Sequence, residues 1–150
     1  MRDPLRLRPA TVLDSGRLLE WRNDPRTRAA SREPRSIGLE EHIRWLERAL
    51  QDPDQEILIA EEEGEPVGMV RAEWEGETRK LSWTVAPQAR GRGVGRSMVK
   101  MMVERIRGPV RVEVKKGNVA FSRMAERAGL SFVREEAGIL HYARGALGAR

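Results

Sequence analysis

Three glycines lie in the segment RGRGVG, which runs from Arg90 to Gly95 directly before a stretch of helical periodicity. The start of a helix leaves its first N–H groups without partners and carries a partial positive charge. Glycine has no Cβ atom, so an anion can approach those N–H groups closely. Arg90, Arg92 and Arg96 add formal charge around the same point. This composition favours the binding of an anion, and a diphosphate would suit it.

A strand and a helix would hold this segment in place. Leu81, Trp83 and Val85 alternate with polar residues, which is the period of a half-buried strand. Pro87 ends that strand because proline has no N–H to donate. The helical stretch then places apolar side chains on one face: Val94, Met98, Met101, Met102 and Ile106. We expect the methionines of this face to pack in the core.

Two common phosphate-binding loops do not match these residues. A P-loop requires a lysine and a serine or threonine after its last glycine, whereas Gly95 is followed by Arg96 and Ser97. A dinucleotide-binding fingerprint requires the spacing G-x-G-x-x-G, whereas the glycines here are spaced G-x-G-x-G. On these residues alone, a loop that only turns the chain is the alternative.

Composition narrows the class of protein. The chain has 150 residues and a net charge of +5, and this length favours one domain spanning residues 1–150. It has no cysteine and two histidines, which excludes disulfides and thiolate ligands and disfavours a metal site. No apolar run approaches the ~20 residues that cross a bilayer, and no apolar signal region is present, so we expect a cytoplasmic protein without a membrane partner. Aromatic residues make up 5% and none interleaves with the basic segment, which disfavours nucleic acid as a partner.

Hydrophobic periodicity and turn residues predict the element order β-α-α-β-β-β-α-β-α-β-β, a mixed α/β (α+β) sheet covered by helices. The first helix is expected to end at Asp24-Pro25, because proline disfavours a helical residue before it. Residues 27–36 are polar and rich in arginine and are expected to form a mobile loop. Gly68 lies inside a predicted strand, which indicates that another element approaches the backbone there.

The spacing R-x-x-G-x-G at Arg90, Gly93 and Gly95, after V-A-P and before a long helix, resembles the acyl-coenzyme A loop of the GNAT (N-acetyltransferase) superfamily. A second segment, NVAFSRMAERAGL from Asn118 to Leu130, is similar to the family's helix beside the pantetheine arm. The resemblance spans nearly the whole chain. It implies the GNAT acyltransferase fold, with a mixed, mostly antiparallel sheet, helices on both faces, and a splay between the strand before the loop and the strand at residues 110–114.

The resemblance implies acetyl-coenzyme A as the cofactor, inserted where the two strands separate. The N–H of Val85 would face the thioester carbonyl and stabilise an oxyanion there. The N–H groups of residues 92–97 would hold the diphosphate, and Asn118 would hydrogen-bond the pantetheine arm. The implied cofactor-binding residues are Val85, Arg90, Gly91, Arg92, Gly93, Val94, Gly95, Arg96, Ser97, Asn118 and Ser122.

A narrower resemblance concerns the N-terminal half, where W-R-N-D at residues 21–24 precedes an E-H pair at Glu41 and His42. This pattern is similar to a GNAT branch that includes nucleotide-sugar amine acetyltransferases of pseudaminic acid biosynthesis and lies near ribosomal-protein N-terminal acetyltransferases. It implies that Trp21, Arg22 and Asn23 line the acceptor pocket, although Trp21 alone is better interpreted as a core residue. The favoured acceptor is a small or nucleotide-linked amino sugar, and a protein N-terminus is the alternative. A homodimer is compatible with the sequence but is not indicated by it.

The catalytic groups are less well defined by the sequence. His42 is a candidate general base by its ordinary pKa, and packing on the apolar face of its helix is the equal alternative. Glu73 is a candidate base acting through water, and a solvated strand carboxylate is the slightly favoured alternative. The family's acid tyrosine is replaced by Ala125, so a water, Ser122 or Tyr142 would have to supply the proton. A different acyl chemistry, or a non-catalytic acyl-coenzyme A-binding module, is the further alternative.

Overall fold

The computed structural model describes residues 5–31 and 33–145. The strands are β1 (Arg6–Pro9), β2 (Gln55–Glu62), β3 (Glu65–Glu75), β4 (Thr78–Val85), β5 (Val110–Lys115), β6 (Ser131–Glu136) and β7 (Ile139–Arg144). The helices are α1 (Ser15–Asn23), α2 (Pro25–Ala30), α3 (Leu39–Gln51), α4 (Val94–Glu104) and α5 (Val119–Arg127). None of these helices is long and apolar enough to span a bilayer.

The sequence-based prediction missed α2, which occupies part of the expected mobile loop at residues 27–36. Asp24 and Pro25 end one helix and also begin the next. The Asp24 carboxylate accepts hydrogen bonds from the N–H groups of Arg26 and Thr27, at 3.1 and 3.2 Å. Pro25 occupies the first turn, where its missing N–H costs nothing. A side-chain cap therefore restarts the helix in a new direction.

All strands form one sheet of seven, in the order β1-β2-β3-β4-β5-β7-β6. Neighbouring strands run antiparallel except β4 and β5, which are parallel and are connected through α4. A parallel connection needs a crossover, and α4 provides it. The predicted mixed, mostly antiparallel sheet with helices on both faces is confirmed.

The parallel strands separate after a short stretch of pairing. β4 pairs with β3 along its whole length, from Thr78 to Val85. It pairs with β5 only from Arg79 to Leu81, opposite Val110 to Val112. Residues 82–85 of β4 and 113–115 of β5 therefore face each other across a gap without ladder pairing. The splay implied by the resemblance is present at the expected strands.

The two faces of the sheet are covered by different helices. On one face, Trp83 of β4 stacks on Phe121 of α5 with ring centroids 4.9 Å apart. On the opposite face, the guanidinium of Arg71 in β3 lies 5.5 Å from the ring centroid of Trp45 in α3. Because side chains alternate along a strand, the odd-numbered residues of β4 face α4 and α5, and the even-numbered residues face α1–α3.

Helix α4 approaches the sheet closely at Gly68. A Cβ atom built at Gly68 would lie 3.0 Å from the Met98 sulfur and 3.0 Å from the Thr84 carbonyl oxygen. Met98 and Met102 are fully buried, so the predicted core role of the α4 methionines holds for both. The contact at Gly68 confirms the predicted close backbone approach and fixes the height of α4 above β3 and β4.

We expect Gly68→Ala to lower the free energy of unfolding by about 1–3 kcal/mol, because the added methyl group overpacks the contact with Met98 and Thr84. The matched control is Gly16→Ala in α1, where a built Cβ meets nothing within 4 Å. Alanine in that helix should be neutral or stabilising. Urea unfolding measures both, and an unchanged midpoint for Gly68→Ala would contradict the packing described here.

Candidate active site

The glycine-rich loop presents a row of free N–H groups. Gly91 and Gly93 have φ angles of 80° and 78°, in the left-handed region that favours glycine. Gly93 is the N-cap of α4 and offers no capping side chain. Among the described residues, no acceptor is bonded to the N–H groups of residues 91–96. Ser97 differs from the prediction, because its N–H donates to the Gly93 carbonyl at 3.0 Å and is used by the helix.

Gly95 serves packing more than direct anion contact. A Cβ atom built there would lie 2.9 Å from the Met124 methyl carbon and 3.0 Å from Cγ2 of Val85. Gly95 therefore lets the first turn of α4 lie directly between the end of β4 and α5. Val94 is also buried, so its side chain belongs to the core and only its N–H faces the loop.

The three arginines of the loop have different partners. Arg90 donates to the Asp24 carboxylate at 2.6 Å and to the Thr27 hydroxyl at 3.0 Å, and it holds the pKa of Asp24 below its ordinary value. Arg92 pairs with Glu62 at 2.6 Å. Arg96 forms no ion pair with any described residue, and its guanidinium lies 3.3 Å from a Cβ built at Gly93. The charge best placed for an anion is therefore that of Arg96.

The edge of β4 that faces the gap carries two N–H groups of interest. The N–H of Arg79 donates to the Pro109 carbonyl at 2.9 Å, while the N–H of Ala86 donates to Val67 of β3 at 2.8 Å. Odd-numbered residues of β4 therefore direct their N–H groups toward β5. Val85 and Trp83 lie beyond the last paired residue, so their N–H groups face the gap. The sequence interpretation named only Val85, although the strand period also identifies Trp83.

Helix α5 borders the gap on the side of β5. The Asn118 side-chain oxygen accepts from the Phe121 N–H at 3.2 Å and so caps the helix, which leaves its amide NH₂ as a donor. Ser122 is half-buried one turn later, and Ala125 is fully buried. Tyr142 pairs with Val112 and packs edge-on against Phe132. Tyr142 is thus buried on the face covered by α4 and α5.

The two faces of the sheet are packed differently beside the gap. On the α4 and α5 face, the Trp83–Phe121 stack and the tight contact of Gly95 with Met124 fill the space beside β4. On the opposite face, the side chains of Ser82 and Thr84 are half-buried beneath the α1–α3 layer. The tight packing described here is therefore confined to the α4 and α5 face, and the α1–α3 face carries the polar side chains of Ser82 and Thr84.

Glu113 is the carboxylate that borders the gap on the α1–α3 face. It is the first β5 residue after the last pair with β4, and its side chain is 10% exposed. It accepts from Arg111 at 2.8 Å and lies 3.6 Å from the Lys80 ammonium. The sequence interpretation missed it, although the alternation of Val110, Val112 and Val114 places Glu113 on the opposite face to these valines.

The two predicted bases lie in different surroundings. Glu73 pairs with Lys80 in the ladder and its carboxylate lies 3.5 Å from Arg71. The residue of β3 opposite Val85 is Gly68, five positions away, which corresponds to about 16 Å along the strand. His42 is buried in α3, its Nδ1 has no hydrogen-bond partner among the described residues, and burial together with Arg22 lowers its pKa. Burial therefore favours the neutral form of this imidazole and separates it from solvent.

The W-R-N-D segment shapes the acceptor side through its side chains. Trp21 is 3% exposed and belongs to the core. Arg22 donates to the carbonyls of Glu33 and Arg35, at 2.6 and 3.3 Å. Asn23 forms two hydrogen bonds with the backbone of Ile37, at 2.8 and 2.7 Å. Arg22 and Asn23 thus fix the segment that leads into α3, and Trp21 is a core residue as its sequence interpretation favoured.

Residues 4–131 match the family model described as an acetyltransferase (GNAT) domain. The chain belongs to the GNAT acetyltransferase family. It is therefore an acetyl-coenzyme A-dependent N-acetyltransferase, and the alternative of a non-catalytic module is set aside. No curated protein sequence matches the chain.

Solved structures with the same fold act on several classes of amine according to their names. A ribosomal-protein-alanine N-acetyltransferase from Brucella melitensis is 26% identical, with a TM-score of 0.79 over 93% of this chain and 99% of that chain. The aminoglycoside acetyltransferase AAC(6')-Ib with acetyl-coenzyme A is 21% identical, with a TM-score of 0.81 over 95% and 94%. Spermidine N-acetyltransferase from Vibrio cholerae, bound to coenzyme A and spermine, is 14% identical, with a TM-score of 0.84 over 95% of both chains.

The residues of this chain fit the cofactor of the family. The free N–H groups of residues 91–96 and the charge of Arg96 suit a diphosphate. The gap between β4 and β5 offers main-chain donors at Trp83 and Val85 to an extended arm that carries amide and thioester carbonyls. The Asn118 amide supplies a further donor on the other side.

We expect Gly93→Asp to weaken coenzyme A binding at least about tenfold, equal to ~1.4 kcal/mol, because its carboxylate repels the diphosphate. Aspartate tolerates the left-handed backbone better than most residues, so the chain should still fold. Gly76→Asp is the control, since Gly76 has a φ of 64° in the turn between β3 and β4. Calorimetry measures both variants. Equal affinities for Gly93→Asp and the unchanged protein would contradict the placement of the diphosphate.

Proposed function

We propose that this acetyltransferase modifies a primary amine on an anionic small molecule, with a nucleotide-linked amino sugar as the preferred acceptor. The supporting observation is a set of arginines on the acceptor side without ion-pair partners among the described residues: Arg22, Arg26 and Arg28. A guanidinium is well suited to phosphate because it can donate two parallel hydrogen bonds. A nucleotide diphosphate would neutralise charge that the protein leaves uncompensated.

The hydrogen bonds of Arg22 and Arg28 go to uncharged acceptors and do not neutralise the guanidinium charge. Within the part of the chain that the structure describes, Arg22 donates only to backbone carbonyls, and Arg28 donates through Nε to the Pro34 carbonyl at 3.0 Å. Arg26 is exposed on α2. Arg35 is excluded from the set because its guanidinium pairs with Glu41 at 2.6 Å. Glu33 acts electrostatically on Arg22 without an ion pair between them, and the unpaired arginines disfavour polycationic acceptors such as polyamines and aminoglycosides.

A protein N-terminus is the second candidate acceptor. The observation that favours it is the 26% identity to a ribosomal-protein-alanine N-acetyltransferase over 93% of the chain. An unfolded N-terminal segment would have to enter between α2 and the sheet. The arginines of the acceptor side are compatible with such an acceptor only if the segment carries few basic residues.

The chemistry requires that the amine lose its proton before it attacks. An alkyl amine has a pKa of ~10.4 and is mostly protonated at neutral pH, so a base must accept that proton. In our proposal, Glu113 takes this role, because it lies on a strand that borders the gap, whereas Glu73 lies on β3 and His42 is buried in α3. The bound cofactor supplies an activated acetyl group. The N–H groups of Trp83 and Val85 are positioned to donate to a carbonyl oxygen in the gap.

The acceptor proposal predicts an order of rates in a panel of amines. A uridine diphosphate-linked amino sugar should be acetylated faster than spermidine, kanamycin or an alanine-initiated peptide, as followed by release of free thiol. Arg26→Gln should raise the KM for the nucleotide acceptor by about threefold to tenfold with little change in kcat, since it removes ground-state attraction. Arg107→Gln, an exposed arginine after α4, is the control. Preference for spermidine would contradict the proposal.

The assignment of Glu113 predicts a difference between two carboxylate variants. Glu113→Gln should lower kcat by about a hundredfold or more, the size of a lost general base, while coenzyme A affinity stays the same. Glu73→Gln should change kcat by only a few fold, because β4 lies between Glu73 and the gap, and Glu73 is five positions along the ladder from the level of Val85 whereas Glu113 is three. Steady-state kinetics on the best acceptor decides, and the reverse order of effects would return the role to Glu73.

A further inference from the structure

Helix α2 is bonded to residues on both sides of the gap. Near its N-terminus, Asp24 and Thr27 accept hydrogen bonds from Arg90, which follows β4, at 2.6 and 3.0 Å. At its other end, the Ala29 carbonyl accepts from the Lys115 ammonium, on the last residue of β5, at 3.0 Å. A helix of six residues is about 9 Å long, so α2 is long enough to lie across two separated strands.

These bonds occur where the strands lack their usual connection. β4 and β5 have no ladder pairing beyond Leu81 and Val112. Each strand stays paired with its other neighbour, β4 with β3 as far as Val85 and β5 with β7 as far as Lys115. A direct connection between β4 and β5 at this level therefore depends on side chains. The contacts of α2 with Arg90 and Lys115 join the two sides over the acceptor face of the gap.

The chemistry of Asp24 indicates that its charge serves this connection. An asparagine would cap α2 equally well, because capping needs only a side-chain oxygen. The carboxylate charge is required by Arg90 instead, in a pair whose side chains are 24% and 18% exposed. Arg90 belongs to the R-x-x-G-x-G loop but is directed at α2, so its role in cofactor binding is indirect.

We propose that α2 is a strap that holds the ends of β4 and β5 at the separation needed by the coenzyme A arm, with Asp24 and Lys115 as its positioning residues. Strand ends that are already held apart favour coenzyme A binding, because no free energy is spent on separating β4 from β5. The strap also connects the two substrates. Coenzyme A bound at the loop fixes Arg90, and Arg90 fixes the helix that carries Arg26 and Arg28 over the acceptor. This proposal requires only the family's coenzyme A site and not the acceptor proposed above.

The test uses variants at each end of α2. Asp24→Asn keeps the cap and removes the charge, and Lys115→Met removes the ammonium. We expect each variant to raise the Kd for coenzyme A about fivefold, which corresponds to a binding-competent fraction of about a fifth. Lys115→Arg keeps the positive charge and should leave this Kd unchanged. Lys116→Met is the matched control, because Lys116 is the next residue and pairs with Glu135 instead, at 3.3 Å.

Hydrogen exchange of residues 24–31 supplies a second measurement. If Asp24 only stabilised the fold, coenzyme A would slow this exchange equally in the variant and in the unchanged protein. In the unchanged protein, coenzyme A should slow the exchange of these N–H groups. In Asp24→Asn this slowing should be lost even at saturating coenzyme A. Unchanged Kd values in both variants, or slowing by coenzyme A that persists in Asp24→Asn, would overturn the proposal. Both measurements use coenzyme A alone, so failure to find an acceptor would affect only the proposed function.

Discussion

The separation of β4 from β5 is the constraint on which the rest of the structure depends. A strand edge inside a protein must find partners for its N–H and C=O groups, and beyond Leu81 and Val112 these two strands do not supply them to each other. The gap is compatible with a folded protein because an extended ligand with its own amide groups can complete the pairing. Each neighbouring element serves that opening. α4 and α5 close one face with tightly packed side chains, and α2 lies over the other.

The glycines illustrate how one loop meets two different demands. Gly91 and Gly93 take left-handed conformations that turn the chain and leave consecutive N–H groups free. Gly95 has ordinary backbone geometry and is required by the approach of Met124 and Val85. The first turn of α4 offers N–H groups to a diphosphate and also packs between β4 and α5. Anion binding and core packing are therefore coupled at this turn. A side chain at any of these positions would disturb the loop, through its backbone conformation at Gly91 and Gly93 and through its packing at Gly95.

The sequence was sufficient for the fold and for the glycine-rich turn before α4, because those features rest on local patterns. Alternation identified β4 and β5, and glycine spacing identified the loop. It was insufficient for the acceptor side, where function depends on which charges are neutralised by distant partners. Arg90, Arg92 and Arg96 are all arginines of the same glycine-rich segment. The structure distinguishes them by their partners, because Arg90 pairs with Asp24 and Arg92 with Glu62. In the same way, nothing local separates Glu73 from Glu113, because their positions relative to the gap follow from strand register. Helix α2 was missed because a proline that ends one helix also begins another.

The most direct test of this account is a crystal structure of the protein with acetyl-coenzyme A. We expect diphosphate oxygens within hydrogen-bond distance of the N–H groups of residues 91–96, and the thioester arm between β4 and β5 with a carbonyl oxygen at the N–H of Trp83 or Val85. Arg90 should remain bonded to Asp24 and not to the phosphates. A diphosphate bound away from the loop, or a gap closed by continuous pairing of β4 with β5, would contradict the account.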